Sequence, residues 1–101
     1  MSGDKISVSI DKDLEELIPG FLENRHKDID SLRAALAAND AENLRAIGHN
    51  LKGVGGGYGF DEISNLGAEI ETKAKSGVLD GVDTLIDSMA DYLERIDITY
   101  E

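Results

Sequence analysis

The chain has 101 residues, 41% hydrophobic but only 5% aromatic, with no tryptophan, no cysteine and one proline. Its 21 acidic and 10 basic side chains give a formal net charge of −11. That balance argues against nucleic acid, whose sequence-independent affinity comes from Lys and Arg neutralising phosphates, and against anionic membrane surfaces. Without cysteine there are no disulfide staples and no Cys-based zinc sites. The length fits one domain over residues 1–101 with one modest, mainly aliphatic core. No run approaches the roughly 18 apolar residues of a membrane span. The start, Met1-Ser2-Gly3-Asp4-Lys5, does not read as a signal peptide. The expected compartment is therefore the cytoplasm.

In chain order, Ile6, Val8 and Ile10 alternate with Ser7 and Ser9, a period of two that predicts an extended segment. The phase then becomes helical. Leu14, Ile18, Phe21, Leu22, Ile29, Leu32 and Leu36 form a long apolar stripe, with Pro19 expected to break or kink it near its start. Asp40 is a suitable N-cap for a second helix, whose stripe is Leu44, Ile47, Leu51, Val54 and Tyr58. A third stripe, Ile63, Leu66, Ile70 and Ala74, ends at Gly77, a good C′ residue. Asp80 is placed to cap a fourth, built from Val82, Leu85, Ile86, Met89, Leu93 and Ile96. Alternation returns in Ile96, Ile98 and Tyr100 against Asp97 and Thr99.

These segments predict an all-α fold: an antiparallel up-down-up-down four-helix bundle over about residues 12–96. In that topology the first helix starts at the end where the last one finishes. The two alternating tails could then pair there as a short antiparallel ribbon.

The chemistry concentrates in Gly48-His49-Asn50-Leu51-Lys52-Gly53. At about 100° per residue the second stripe centres almost opposite His49, so the ring is expected to face water from a firmly seated helix. Glu42, Arg45, His49, Lys52, Gly53 and Gly56 share one face. Imidazole, ordinarily titrating near about 6.5, offers a nucleophilic lone pair at neutral pH. Lys52, and Arg45 beside it, can balance added negative charge. On an exposed surface such a pair is worth about 1 kcal/mol or less. Arg45 also follows Glu42 by three residues, a spacing equally suited to a local ion pair. Gly53 and Gly56 leave room for a protein that must bring its own phosphoryl group close, since transfer depends on in-line geometry.

His49-Asn50-Leu51-Lys52-Gly53, then Gly59, then Leu66, Ala68 and Ile70-Glu71, with Gly77 closing the segment, resemble the histidine-containing phosphotransfer (HPt) domains of phosphorelays. The resemblance implies a four-helix bundle and a His49 phosphorylated on Nε2. It implies a phosphoryl group received from a receiver-domain aspartate and passed to another receiver. Partners would be the receiver domains of response regulators or hybrid histidine kinases, with Mg²⁺ brought by the receiver and no cofactor or metal belonging to this chain. The protein would act as a carrier, not an enzyme, because it is too short to hold an ATP-binding kinase domain. A monomer is expected, since one histidine face suffices. Gly55-Gly56-Gly57 departs from the family pattern of Ser or Ala, and each interior glycine costs about 1 kcal/mol relative to alanine. Either a loose helix end or close packing against a neighbour would account for it.

Other residues carry less. His26 lies among Glu23, Asp28 and Asp30 but lacks a second histidine at metal-ligand spacing, so it reads as solvated. The run Gly53 to Tyr58 lacks the final glycine of GxGxxG and is not a nucleotide loop. Tyr58 and Phe60 read as packing at a helix joint, without the basic patch of a base-stacking platform. The alternative function is a non-catalytic helical adaptor that docks signalling partners without phosphotransfer.

Overall fold

A computed structural model describes residues 4–101. Four helices dominate: α1 (Ile18–Ala37), α2 (Ala41–Gly57), α3 (Asp61–Ser76) and α4 (Val82–Arg95). A strand β1 (Ile6–Ile10) and a 3-10 turn (Lys12–Leu14) precede them, and a strand β2 (Ile96–Tyr100) follows. Among the described residues no helix is long and apolar enough to cross a membrane.

Local chemistry sets most of the boundaries. Pro19 falls in the first turn of α1, where its missing N–H would have had no helical partner, so it starts the helix instead of kinking it. Leu14 consequently lies in the preceding 3-10 turn and not on α1. Asp40 caps α2, its carboxylate accepting from the Asn43 N–H at 3.1 Å. Gly77 ends α3 with φ 79°, the left-handed backbone that glycine adopts without steric penalty. The expectation for α4 needs correction. Asp80 does not cap it; the capping position is Gly81, at φ 88° and without a side-chain bond. The left-handed turn there moves Asp80 one residue too early to reach the first helical N–H groups. Ile96 likewise leaves the α4 stripe and begins β2.

The core is aliphatic. Leu32, Leu44, Leu51, Phe60, Ile63, Ile70, Val82, Ile86 and Met89 are inaccessible to solvent. Tyr58 and Phe60 form the α2–α3 joint, both rings stacking on Phe21, with centroids 4.4 and 5.1 Å away. The guanidinium of Arg25 lies over the Phe21 ring at 4.6 Å and pairs with Asp28 at 2.9 Å. This satisfies a buried cation at the edge of the core.

The most extensive helix contact is α2 on α3, and glycines make it close. A Cβ on Gly48 would stand 2.8 Å from both the Glu71 nitrogen and the Gly67 oxygen. One on Gly55 would stand 2.5 Å from the Ser64 nitrogen, and one on Gly67 2.7 Å from the Lys52 nitrogen. The buried face of α2 is therefore Leu44, Gly48, Leu51 and Gly55, while Ile47, Val54 and Tyr58 are only half-buried. Relative to the apolar stripe, that face is turned by roughly 50° toward His49. The histidine thus stands at the rim of the α2–α3 seam instead of opposite it. The glycine run also resolves: Gly55 is closely packed, whereas a Cβ on Gly57 would meet nothing.

The two tails pair, but in parallel, with Ile6 opposite Ile96 and Ile10 opposite Tyr100. This overturns the expected antiparallel ribbon. β2 follows α4 with no intervening residue, whereas β1 is separated from α1 by the 3-10 turn and the residues after it. That intervening segment frees the direction of β1 from that of α1, so the tails need not run antiparallel. Backbone bonds from Lys12 N–H to the Glu101 oxygen (2.9 Å) and from Glu101 N–H to the Ile10 oxygen (3.0 Å) extend the ladder. Ser9 Oγ also donates to the Glu101 carboxylate. Amides of residues 6–12 and 97–101 should accordingly exchange with deuterium more slowly than those of the exposed stretch from Ser76 to Gly81. Equal rates in peptide-resolved exchange would contradict the pairing.

Candidate functional site

His49 projects from the middle of α2 with its side chain 66% exposed. Its Nδ1 lies 2.9 Å from Oε2 of Glu71, a carboxylate on α3 that is only 7% exposed. Oε1 of Glu71 accepts from Lys52 Nζ at 3.1 Å, and Lys75 Nζ stands 3.5 Å from Oε2. Close α2–α3 packing makes this possible. With Gly48 against Gly67 and the Glu71 backbone, the carboxylate of α3 comes within reach of the next residue on α2.

The electrostatics fix the protonation pattern. The hydrogen bond from Lys52 is the main cause that holds the Glu71 carboxyl down to about 2, helped by the bond with His49 and the charges of Lys52 and Lys75, against burial pushing it up. Glu71 is therefore ionised at any physiological pH, and an ionised carboxylate can only accept. The ring nitrogen facing it must donate. In the neutral ring Nδ1 then carries the proton and Nε2 holds the lone pair. With a neutral ring, the cluster of Glu71, Lys52 and Lys75 carries a formal charge of +1 on a chain of net charge −11.

The other residues of the expected face separate into two groups. Gly53 and Gly56 leave the helix surface bare beside Lys52: a Cβ on Gly53 would meet nothing, and one on Gly56 only Ser64 Oγ at 3.9 Å. Arg45 is instead engaged by Glu42 on its own helix. The hydrogen bond with that carboxylate, more than its charge alone, raises the guanidinium pKa. Ser64 Oγ donates to the Lys52 carbonyl at 2.6 Å and ties α3 to α2 beside the site. His26 is exposed on α1 and lies outside the cluster.

Residue-by-residue reading had placed neither Glu71 nor Lys75 in the site. Two signals were present. Glu71 stands four residues after Gly67 and next to buried Ile70, a charge at the edge of an apolar stripe; Lys75 follows it by four, an ordinary helical ion-pair spacing.

The four-helix scaffold thus presents an exposed imidazole whose Nδ1 is backed by a carboxylate shared with two lysines. The Hpt domain family model matches residues 16–99, and the chain belongs to that family. The structure is similar to that of histidine-containing phosphotransfer protein B (HptB) from Pseudomonas aeruginosa PAO1, at 31% sequence identity and a TM-score of 0.74. That similarity covers 77% of this chain and 68% of the other. No curated protein matches the sequence.

Proposed function

We propose that the protein is a phosphorelay intermediate in two-component signalling, and that Nε2 of His49 is the phosphoryl acceptor. The observation that carries this reading is the Nδ1–Glu71 contact, which in the neutral ring keeps the proton on Nδ1 and the lone pair on Nε2 of an exposed side chain. In the forward step the Nε2 lone pair attacks the phosphorus of a receiver aspartyl phosphate. The N–P bond forms, the P–O bond to the aspartate breaks, and the carboxylate leaves with that electron pair. The proton stays on Nδ1, so the phosphorylated ring is cationic and lies against the anionic Glu71. In the onward step the same proton lets the ring depart as neutral imidazole, a far better leaving group than imidazolate. Lys52 lies close enough to turn from Glu71 toward the new phosphoryl group, and Gly53 and Gly56 leave the approach clear for the partner.

Partners on this reading are receiver domains, and the protein is a phosphocarrier acting as a monomer. Among the described residues no three His, Cys, Asp or Glu side chains are grouped to hold a metal ion. On this reading the Mg²⁺ of the reaction belongs to the receiver. We read the helices as an antiparallel up-down-up-down bundle. Support comes from Gly48 lying against Gly67 and Glu71 while Gly55 lies against Phe60 and Ser64, and from Phe21, near the start of α1, stacking on Tyr58 at the end of α2.

Incubation with a phosphorylated receiver tests the reading. Acid-labile, base-stable label should appear on the wild type and be absent from His49→Gln. Label on neither would instead favour a helical adaptor with no phosphohistidine, and equal label on both would remove His49 as the acceptor.

A further inference from the structure

We propose that Lys75 is a positioning residue for phosphotransfer: it holds the Glu71 carboxylate in place when Lys52 is drawn away to the phosphoryl group on His49. This inference rests on the phosphotransfer reading and deepens it. In the unphosphorylated protein Glu71 is shared three ways, with Lys52 on Oε1 and both His49 Nδ1 and Lys75 on Oε2. Lys75 is the outermost partner, at 3.5 Å with a side chain 59% exposed, against 3.1 Å for Lys52. It has slack to close up.

A dianionic phosphoryl group on Nε2 changes the balance. Lys52 sits on the same face of α2 as His49, three residues along the helix, and is the cation placed to turn toward the new charge. Once it turns, Glu71 would be left as a largely buried carboxylate beside a dianion. That arrangement disfavours ionisation of Glu71 and loosens its hold on the Nδ1 proton. Lys75, one helical turn beyond Glu71 on α3, can supply the missing positive charge without moving the backbone.

A cation near the end of a helix also has an ordinary explanation in the helix dipole. Lys73 shares that last turn, however, and its chain runs toward Gly81, where a Cβ would come within 3.6 Å of its Nζ. Of the two lysines, only Lys75 pairs with Glu71.

The test uses the full chain phosphorylated with phosphoramidate, which needs no receiver, and follows the loss of phosphohistidine by ³¹P NMR. Lys75→Ala should lengthen its half-life about two- to fivefold, the range for a partly exposed ion pair, because a less firmly held Nδ1 proton makes the ring a poorer leaving group, and Lys75→Arg should restore it. In a Glu71→Gln background Lys75→Ala should add nothing, because there is no carboxylate charge left to hold. An unchanged half-life in Lys75→Ala would overturn the proposal. An equal change with and without the Glu71 charge would do the same, since Lys75 would then act on the phosphoryl group directly. If phosphoramidate labels His49 but no receiver exchanges with it, the relay reading fails while these half-lives still decide the role of Lys75.

Discussion

Gly67→Val should destabilise the protein by about 2–3 kcal/mol, the upper part of the usual range for overpacking. The new Cβ would lie 2.7 Å from Leu51 Cβ and from the Lys52 nitrogen, and 2.8 Å from the Gly48 oxygen. Two of these three atoms are backbone, so no rotamer change relieves the clash and α2 must move away from α3. For a domain of this size the melting temperature should fall by roughly 10–15 °C. The same movement withdraws Glu71 from His49, so phosphohistidine formation should decline in protein that is still folded. Gly53→Ala should act in the opposite direction. Its Cβ meets nothing, and it should gain about 0.5–1 kcal/mol from helix propensity. Thermal melts of the two variants side by side check the argument; equal and small shifts would mean that the seam is not closely packed.

Glu71→Ala should slow phosphotransfer about ten- to a hundredfold, the range for losing a hydrogen bond to a charged group. Without the carboxylate, nothing holds the proton on Nδ1 and nothing balances the cationic ring in the transition state. Glu71→Gln keeps an acceptor but loses the charge, and should fall between the two. The same residue sets an acid limit on stability. Its carboxyl is lowered from an ordinary 4.5 to about 2, so the folded state binds fewer protons than the unfolded state between those values. The stabilisation is complete above the ordinary value and is lost as pH falls from about 4.5 toward 2. Melting temperatures measured from pH 6 to pH 3 should thus drop more steeply for the wild type than for Glu71→Gln. Parallel curves would detach Glu71 from the acid response.

Much of this was legible in the sequence, and the failures share physical causes. The helices follow from apolar periodicity, and Asp40 and Gly77 set the boundaries their chemistry suggests. The rotation of α2 was hidden because hydropathy weighs side chains. Gly48 and Gly55 contribute none, yet both are buried in the seam. A stripe drawn through Ile47, Val54 and Tyr58 therefore put His49 too far from α3. A histidine facing open solvent needs no buried carboxylate partner, so the sequence shows Glu71 only as part of a motif, without a role. Asp80 has the right chemistry for a cap, but Gly81 takes that position through its left-handed backbone. A period of two marks an extended segment and says nothing about its direction, so the tails could be found but not oriented.

That direction determines how the molecule bears load. With β1 and β2 side by side and parallel, tension applied to the two chain ends pulls the strands past each other along their length. The rungs of the ladder are then strained together, as in shear. An antiparallel pair would open one rung at a time from its free end. A tether at either terminus should therefore find the helices shielded behind a mechanical clasp.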